Sequence, residues 1–222
     1  MKKKVIFLLV YFSLLFVIIG CGGGPNPPAD PPADPILSDS AKNLIPNGDF
    51  EVDLAGDETG WGRWIPYSDP EWASTSTVEW HLDPNYSTNH YLYFSASNCG
   101  VAQWHQLITP FKTDLSGCLE FELKSGKEYF ISLKAKSSSV GGRIHATLNH
   151  FPYFTEYYGG LVIYTTTELK TYTKYIGVGN GEKVRFALSL GNLEAEAAES
   201  GVVERTNDNV QFFIDNVQLL EQ

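Results

Sequence analysis

The chain has 222 residues and carries 26 Asp and Glu side chains against 16 Lys and Arg, a formal net charge of −10 at pH 7. This acidic balance argues against nucleic acid and anionic lipid headgroups as partners, and it suits neutral glycans, calcium or simply solubility. The residues beyond Asp39, about 180 in number, are enough for one β-sandwich with its own core.

The N-terminus predicts a secretory signal over residues 1–20. Lys2–Lys4 form a basic start, and an apolar run from Val5 to Ile19 follows, interrupted by Ser13. A basic start and an apolar run of this kind are typical of an export signal. The run is short for a membrane span, which takes about 20 residues. We therefore expect an exported protein.

The signal ends in Ile18-Ile19-Gly20-Cys21, which resembles the lipobox of bacterial lipoproteins. The resemblance implies that Cys21 becomes the lipidated N-terminus and that the protein is anchored in the bacterial cell envelope, at the outer membrane or the cell surface. Acyl chains hold a protein on a membrane through about 0.8 kcal/mol per buried methylene. An ordinary signal or an uncleaved anchor is the other interpretation.

Residues 21–40 are predicted to form a tether without a fold. Gly22–Gly24 is followed by Pro-Asn-Pro-Pro-Ala-Asp-Pro-Pro-Ala-Asp-Pro over 25–35. This composition has nothing apolar to bury and favours extended polyproline conformation, at about 3.1 Å per residue. The tether would hold the folded domain, residues 41–222, some tens of ångströms from the lipid surface.

Two cysteines, Cys99 and Cys118, lie in the folded domain. Because export would place them in an oxidising compartment, a disulfide between them is favoured over two free thiols. Closing a loop of this size would contribute about 3 kcal/mol to stability in the chain-entropy description.

Alternation of apolar and polar residues predicts β-strands along the domain. It recurs over residues 129–136, 143–149 and 184–190, with Gly, Ser and Asn clusters between such segments, as in antiparallel sandwiches. Within 143–149 the apolar side chains would face the core, and the opposite face would carry Arg143, His145, Thr147 and Asn149. On a concave sheet this polar row would bind a glycan, and on a convex sheet it would be ordinary solvated surface.

Two motifs at the ends of the domain carry a family resemblance. They are Asn43-Leu-Ile-Pro-Asn-Gly-Asp-Phe-Glu51 and Phe212-Phe-Ile-Asp-Asn-Val-Gln-Leu-Leu220. They resemble the opening and closing strands of carbohydrate-binding modules of families 4, 9, 16 and 22, as does Gly126-Lys-Glu-Tyr129. The resemblance implies an all-β antiparallel sandwich of the galactose-binding-like, jelly-roll type, clasped by the two motifs, which binds sugar without catalysis.

The same resemblance implies a structural calcium ion. These families often hold Ca²⁺ between an acid that follows the opening motif and an acid of the closing motif, and the matching residues here are Glu51 and Asp215. Calcium takes hard carboxylate and carbonyl oxygens at about 2.3–2.6 Å. Without the ion, the two carboxylates would cap loops or accept backbone hydrogen bonds.

Aromatic residues concentrate in one part of the domain. All five tryptophans, at positions 61, 64, 72, 80 and 104, fall within a 44-residue window. Aromatic rings offer sugars a large apolar surface at little entropic cost. Trp61 aligns with a tryptophan that packs structurally in the family, so we expect it in the core. Trp64 and Trp72 are open between sugar binding and packing.

Further sugar-binding candidates come from two segments. Ala102–Gln106 resembles a family strand near the binding groove, which makes Trp104 and Gln106 candidates. The aromatic loop at 151–158 would place Tyr153, Tyr157 and Tyr158 over the polar row that holds Arg143 and His145.

The sequence argues against an enzyme. It has no Gly-x-Ser-x-Gly elbow and no histidine pair at helical i, i+4 spacing. Glycoside hydrolysis needs two carboxylates about 5–10 Å apart; Glu120 and Glu122 share a strand face, but Lys124 continues that row, as on a solvated edge. We expect a non-catalytic, lipid-anchored protein that binds poly- or oligosaccharide, with separately encoded glycoside hydrolases as candidate partners. The alternative is a structural or adhesive surface lipoprotein that contacts protein through the same sandwich.

Overall fold

The computed structural model describes residues 35–52, 60–64, 76–82, 88–96, 107–110, 117–150, 157–191, 207 and 209–222. Within them lie twelve β-strands: β1 Lys42–Asn43, β2 Trp61–Trp64, β3 Ser76–Leu82, β4 His90–Ala96, β5 Leu107–Pro110, β6 Glu120–Leu123, β7 Glu128–Ser137, β8 Arg143–His150, β9 Tyr157–Tyr164, β10 Lys170–Val178, β11 Glu182–Ser189 and β12 Gln211–Glu221. Among these residues no helix is long and apolar enough to cross a membrane.

The strands form two antiparallel sheets. Sheet A has the order β10-β7-β12-β4-β3, with β1 added to β12, and sheet B has the order β2-β5-β11-β8-β9, with β6 added to β11. Every pairing between these strands is antiparallel. The prediction of an all-β antiparallel sandwich is confirmed.

The core lies between the two sheets and is built by period-2 alternation. On β7 of sheet A, Ile131 and Leu133 are fully buried, and on β8 of sheet B, Ile144 and Leu148 are fully buried in the same hydrophobic cluster. Because successive side chains of a strand point to opposite faces, these residues fix which face of each sheet is outward. Truncating a buried leucine of this kind to alanine typically costs about 2–5 kcal/mol.

The opening and closing motifs meet in sheet A, as predicted. Strand β1 pairs with the end of β12, with Asn43 opposite Leu220. The Asn43 side-chain oxygen accepts hydrogen bonds from the backbone N–H groups of Ile45 and Leu219, each at 3.1 Å. The N–H of Val217 donates to the carbonyl of Gly48 at 2.6 Å. A Cβ atom at position 48 would lie 1.9 Å from the Val217 carbonyl oxygen, so only glycine fits there.

The Gly126–Tyr129 motif secures the same end of the sandwich. The Tyr129 hydroxyl donates to the carboxylate of Glu221 at 2.9 Å and accepts from the backbone N–H of Lys124 at 2.8 Å. The Lys124 ammonium lies 2.9 Å from the other oxygen of that carboxylate. Burial, together with the hydrogen bond to Glu221, raises the pKa of Tyr129 above its usual range. The hydroxyl therefore stays protonated and ties β12 to the β6–β7 turn.

Candidate functional site

The outward face of sheet B carries the polar row predicted from sequence. Ile144, Ala146 and Leu148 pack in the core, which places the side chains between them on the opposite face. We call this set the β8 row: Arg143, His145, Thr147 and Asn149. Its members are nonetheless buried, with 4, 9, 4 and 5% of their surfaces exposed, respectively. The row is an enclosed polar surface and not freely solvated.

Strand register places small residues beside the β8 row. His145 pairs with Ser189 of β11 on one side and with Val162 of β9 on the other. In the next cross-strand position, Thr147 pairs with Ala187 and Gly160. Thr147 therefore has small neighbours on both sides, and His145 has a small neighbour on the β11 side.

Hydrogen bonds fix the orientation of the row. The Asn149 amide donates to the Thr147 hydroxyl at 2.9 Å, and that hydroxyl donates to the Ala187 carbonyl at 3.2 Å. On β5, the buried Thr109 hydroxyl donates to the Phe186 carbonyl at 2.7 Å. Polar groups held in this way lose little further entropy when they bind a ligand, which is the advantage of a preorganised site.

A buried asparagine holds the Arg143 end of the row. The Asn207 amide group donates to the carbonyls of Arg143 and Leu190 at 2.7 and 2.8 Å, and its oxygen accepts from the Arg143 backbone N–H at 2.7 Å. Asn207 is fully buried. Sequence reasoning did not identify this residue, because its partner lies 64 positions away.

Burial and two nearby cations keep His145 uncharged. Burial lowers the pKa of His145 to about 4, and the positive charges of Arg143 and Lys174 act in the same direction. Lys174 reaches sheet B from β10, where its ammonium donates to the Gly160 carbonyl at 3.0 Å. At neutral pH the imidazole is therefore uncharged and carries one donor and one acceptor nitrogen. That pairing matches a hydroxyl group, which also both donates and accepts.

An exposed apolar edge borders the row. On β9, Val162 and Tyr164 are 44% and 58% exposed, and they pair with His145 and Arg143, respectively. A pyranose ring has a C–H face that packs on such a surface while its hydroxyls turn to polar groups. Sequence reasoning missed both residues because they lie in the apolar run of residues 161–164, which shows no alternation.

Tyr158 does not join this face. The β8–β9 register shifts between Leu148 and Asn149, and Tyr158 packs against the hydrophobic core. Its hydroxyl donates to the carbonyl of Val178 at 3.3 Å, and its ring lies edge-on to His150 with the centroids 5.5 Å apart. The prediction that Tyr158 overhangs the β8 row is wrong, because the β-bulge reverses which side chains point outward.

Trp64 belongs to sheet B through its backbone. It pairs with Leu107, whose neighbour across the sheet is Ser189, so its backbone lies in the same cross-strand row as that of His145. The side chains of Trp64 and Tyr157 lie outside the described part of the structure. Six other residues singled out from the sequence lie entirely outside the described part of the structure. They are the sugar-binding candidates Trp72, Trp104, Gln106 and Tyr153 and the cysteines Cys21 and Cys99.

The structure also describes four other residues that were singled out from the sequence: Trp61, Cys118, Glu120 and Glu122. Trp61 is buried in the core, as predicted, and its indole N–H donates to the Asn47 carbonyl at 3.1 Å. Cys118 is also buried, and its predicted pairing with Cys99 stays a prediction. Glu120 and Glu122 face Arg185 and Lys183, respectively, across the β6–β11 pair. This arrangement of opposite charges fits a charged strand edge.

The two predicted calcium ligands lie near each other. The Glu51 carboxylate accepts from the His90 backbone N–H at 3.0 Å, and the buried Asp215 carboxylate accepts from the Asn216 N–H at 2.6 Å. Burial raises the pKa of Asp215, and the negative charge of Glu51 adds to this. Two adjacent carboxylates suit calcium chemically. Among the described residues, however, no three His, Cys, Asp or Glu side chains are grouped so as to hold a metal ion.

The outward face of sheet A carries a different cluster, made of aromatic residues. Tyr91 and Tyr93 meet the Phe213 ring at centroid distances of 5.3 and 5.5 Å. His81 stacks on Tyr93 at 4.7 Å, and the Lys136 ammonium lies 5.0 Å above Phe213. Because these ring faces are already covered by neighbours, the face is less suited to stacking on a sugar than the exposed Tyr164.

Comparison with solved structures supports the fold. A family 4 carbohydrate-binding module is similar with a TM-score of 0.56 at 18% sequence identity, covering 80% of this chain and 99% of that chain. Two weaker likenesses are a family 61 carbohydrate-binding module in complex with β-1,4-galactotriose (14% identity, TM-score 0.44, covering 82% and 99%) and a Stig cyclase from Fischerella sp. TAU (13% identity, TM-score 0.47, covering 82% and 98%).

The likeness to the family 4 module defines the class of fold, a β-sandwich of the carbohydrate-binding-module type, and confirms the fold that the sequence resemblance implied. At 18% identity it establishes the fold alone. No protein-family model matches the sequence, and no curated protein matches it.

Proposed function

We propose that this protein binds poly- or oligosaccharide, without catalysis, on the outward face of sheet B. The observation that carries the proposal is the pairing of an enclosed polar row, centred on His145, with the exposed edge formed by Val162 and Tyr164. Sugars present hydroxyls at their rims and C–H groups on their faces, so they are recognised by this combination of directed polar groups and apolar surface. The β-sandwich fold of the carbohydrate-binding-module type also supports the proposal of glycan binding.

Each part of the face has a separate task in this proposal. Neutral His145 and the amide of Asn149 exchange hydrogen bonds with sugar hydroxyls, and Arg143 donates to ring or hydroxyl oxygens. Tyr164 provides the platform for the C–H face of one ring. These proposed contacts are hydrogen bonds and ring packing, and none of them uses a nucleophile or an acid–base pair. We therefore propose the face as a binding site and not as an active site.

Screening tests this proposal directly. The full chain, purified in detergent, is applied to a glycan array and run in native gels that contain soluble polysaccharides. Retardation by at least one polysaccharide, competed by the matching oligosaccharide, supports the proposal. If no glycan on the array binds and none retards the protein, sugar binding is contradicted, and the adhesive alternative with a protein partner takes its place.

The cellular setting follows from the N-terminal sequence. We propose that Cys21 carries lipid, that residues 21–40 act as a tether, and that the sandwich captures glycan at the bacterial cell envelope for separately encoded glycoside hydrolases. Replacing Cys21 with serine tests the anchor by membrane fractionation. Release of the Cys21→Ser variant into the soluble fraction supports the proposal, and retention in the membrane contradicts it.

Calcium is proposed as a structural ion beside the clasp. Burial is the main cause of the raised pKa of Asp215, and the negative charge of Glu51 acts in the same direction, so a bound cation would favour the ionised form of both carboxylates. The carbonyls of Asn47, Gly48 and Phe50 already accept hydrogen bonds, so the remaining oxygens would come from Asp49 or from water. When bound, the ion would join the two ends of the domain.

A further inference from the structure

Strand β9 forms one edge of sheet B, and in the described part of the structure it pairs with β8 alone. Its sequence, Tyr157-Tyr-Gly-Gly-Leu-Val-Ile-Tyr164, contains no charged residue and no proline. Edge strands usually carry such residues, because an unprotected edge offers its backbone groups to another chain. The edge of β9 is therefore suited to pairing with a further strand.

The backbone groups of Val162 and Tyr164 point away from β8. Both the N–H and the carbonyl of Arg143 bond to Asn207, so neither is directed at Tyr164, the cross-strand partner of Arg143. In an antiparallel ladder, pairs of this kind alternate with hydrogen-bonded pairs, so the pair of Val162 and His145 has the same arrangement. The N–H and carbonyl groups of Val162 and Tyr164 consequently lie along the open edge.

Two lysines of sheet A lie at the same corner of the sandwich. Each pairs with a core residue of β7, Lys170 with Ala135 and Lys174 with Ile131. Because paired residues project from the same face of a sheet, both lysine side chains leave β10 towards sheet B. The Lys174 ammonium reaches β9 and donates to the Gly160 carbonyl at 3.0 Å. Both lysines are exposed and lie beside a strand that has no charged residue.

This geometry defines the side chains that an added strand would need. A strand paired with the β9 edge would lie about 4.8 Å from it and would extend sheet B. Every second side chain of that strand would lie on the outward face, beside the exposed side chains of Val162 and Tyr164. The side chains between them would point towards the edge of sheet A, where Lys170 and Lys174 are. Apolar residues suit the first set, and acidic residues suit the second.

We propose that the open edge of β9 binds an extended segment of a partner protein in which apolar and acidic residues alternate. The segment pairs as an added strand, so its backbone supplies hydrogen bonds and its acids meet Lys170 and Lys174. A second copy of this chain fits less well, because pairing of β9 with itself would bring the lysines of both copies to one interface. The inference goes beyond the proposed function, since it concerns the strand edge and a protein partner.

The probe is a blocked heptapeptide in which glutamate and valine alternate. Its affinity for the full chain in detergent is measured by fluorescence anisotropy beside two matched peptides. One has lysine in place of glutamate, and the other has N-methylated valines, which cannot donate hydrogen bonds to β9. We expect the glutamate peptide to bind at least about tenfold more tightly than either control. In NMR spectra of the labelled protein, the amide signals of Val162 and Tyr164 should shift on its addition.

Four variants locate the peptide. Lys170→Gln and Lys174→Gln should each lower the affinity of the glutamate peptide severalfold. Lys183→Gln is the matched control, because this lysine lies opposite Glu122 on the β6–β11 pair, and it should leave the affinity unchanged. Val162→Pro removes an N–H that faces the open edge, so the fold should tolerate it, whereas peptide binding should be lost. Thermal melting verifies that all four variants are folded.

The remaining outcomes overturn the inference. Failure of the glutamate peptide to bind, equal binding of all three peptides, or binding that survives Val162→Pro contradicts strand addition at β9. Affinity unchanged in both Lys170→Gln and Lys174→Gln contradicts an acidic partner. Self-association of the full chain that Val162→Pro abolishes, measured by sedimentation velocity without peptide, assigns the edge to a second copy instead. No glycan is present in these experiments, so their failure leaves the proposed function intact, and a failed glycan screen leaves this inference intact.

Discussion

Asn207 and Arg143 are joined by a reciprocal pair of hydrogen bonds, each 2.7 Å long, although 64 residues separate them in the sequence. The Asn207 side chain acts here as a substitute for a neighbouring strand, because it satisfies both the N–H and the carbonyl of Arg143. The start of β8, and with it the orientation of the polar row, depends on this one buried amide.

Replacing Asn207 with alanine should destabilise the fold and disturb the site together. The substitution leaves the buried backbone groups of Arg143 and the carbonyl of Leu190 without their partner, at a cost of about 1–3 kcal/mol for each unsatisfied group. We expect a lower urea midpoint together with weaker glycan binding. Asn207→Asp keeps the acceptor but places a carboxylate oxygen against the carbonyls of Arg143 and Leu190 in a fully buried position, so it should destabilise at least as much as alanine. A midpoint equal to that of wild type in both variants would contradict the role assigned to Asn207.

Removing the Tyr129 hydroxyl should loosen the last strand. Tyr129→Phe deletes the bonds to Glu221 and to the Lys124 N–H, and we expect a loss of about 1–3 kcal/mol in the free energy of unfolding. Tyr172→Phe is the matched control. Among the described residues the buried Tyr172 hydroxyl has no hydrogen-bond partner, so that substitution should be neutral or slightly stabilising. Equal effects of the two substitutions on the free energy of unfolding would contradict the role of the Tyr129 hydroxyl in holding β12.

Stability should fall on acidification through the titration of His145. Its pKa is about 4 in the folded protein against a usual value of 6.5, so the unfolded chain takes up a proton between these values while the folded chain does not. Stability from this group is therefore complete above about pH 6.5 and is lost as the pH falls towards 4, by up to about 3 kcal/mol.

The variant His145→Gln isolates this contribution. The difference in unfolding free energy between wild type and the variant should shrink as the pH falls from 6.5 to 4, measured by denaturant titration at each pH. His81→Gln, at a part-exposed position on sheet A, should retain the wild-type dependence. A constant difference for His145→Gln across this range would mean that His145 titrates normally in the folded protein.

Calcium should raise the melting temperature if Glu51 and Asp215 hold it. An ion that binds only the folded state stabilises by about 2.7 kcal/mol at a hundredfold excess over its Kd. We expect a lower midpoint in chelator, restored by added calcium, and no response in Glu51→Gln or Asp215→Asn. A melting temperature that chelator does not change would contradict calcium binding by Glu51 and Asp215.

Sequence reasoning was accurate where the signal is local. The outward face of β8 follows from alternation within Ile144–Leu148, because side-chain direction in a strand has a period of two residues. The clasp follows from two motifs that each form one strand or turn, and Gly48 shows the constraint directly, since a side chain there would overlap the Val217 carbonyl.

The rest of the site depends on long-range register that the sequence does not display. The β-bulge opposite Leu148 and Asn149 turns Tyr158 towards the core, and no local pattern signals it. Val162 and Tyr164 lie in an apolar run after Gly159, where alternation is absent, so their outward direction follows only from pairing with β8. The approach of Lys174 likewise requires the edges of the two sheets to be adjacent.

Affinity electrophoresis of four single variants tests the central claim most directly. His145→Ala and Tyr164→Ala alter the proposed face on sheet B, and His81→Ala and Tyr93→Ala make the same chemical changes on the outward face of sheet A. On a polysaccharide that retards the wild type, we predict that the first two lose most of the retardation and the second two keep it, with all four folded. Retardation unchanged in His145→Ala and Tyr164→Ala, or lost only in the sheet A variants, would contradict a glycan site on sheet B.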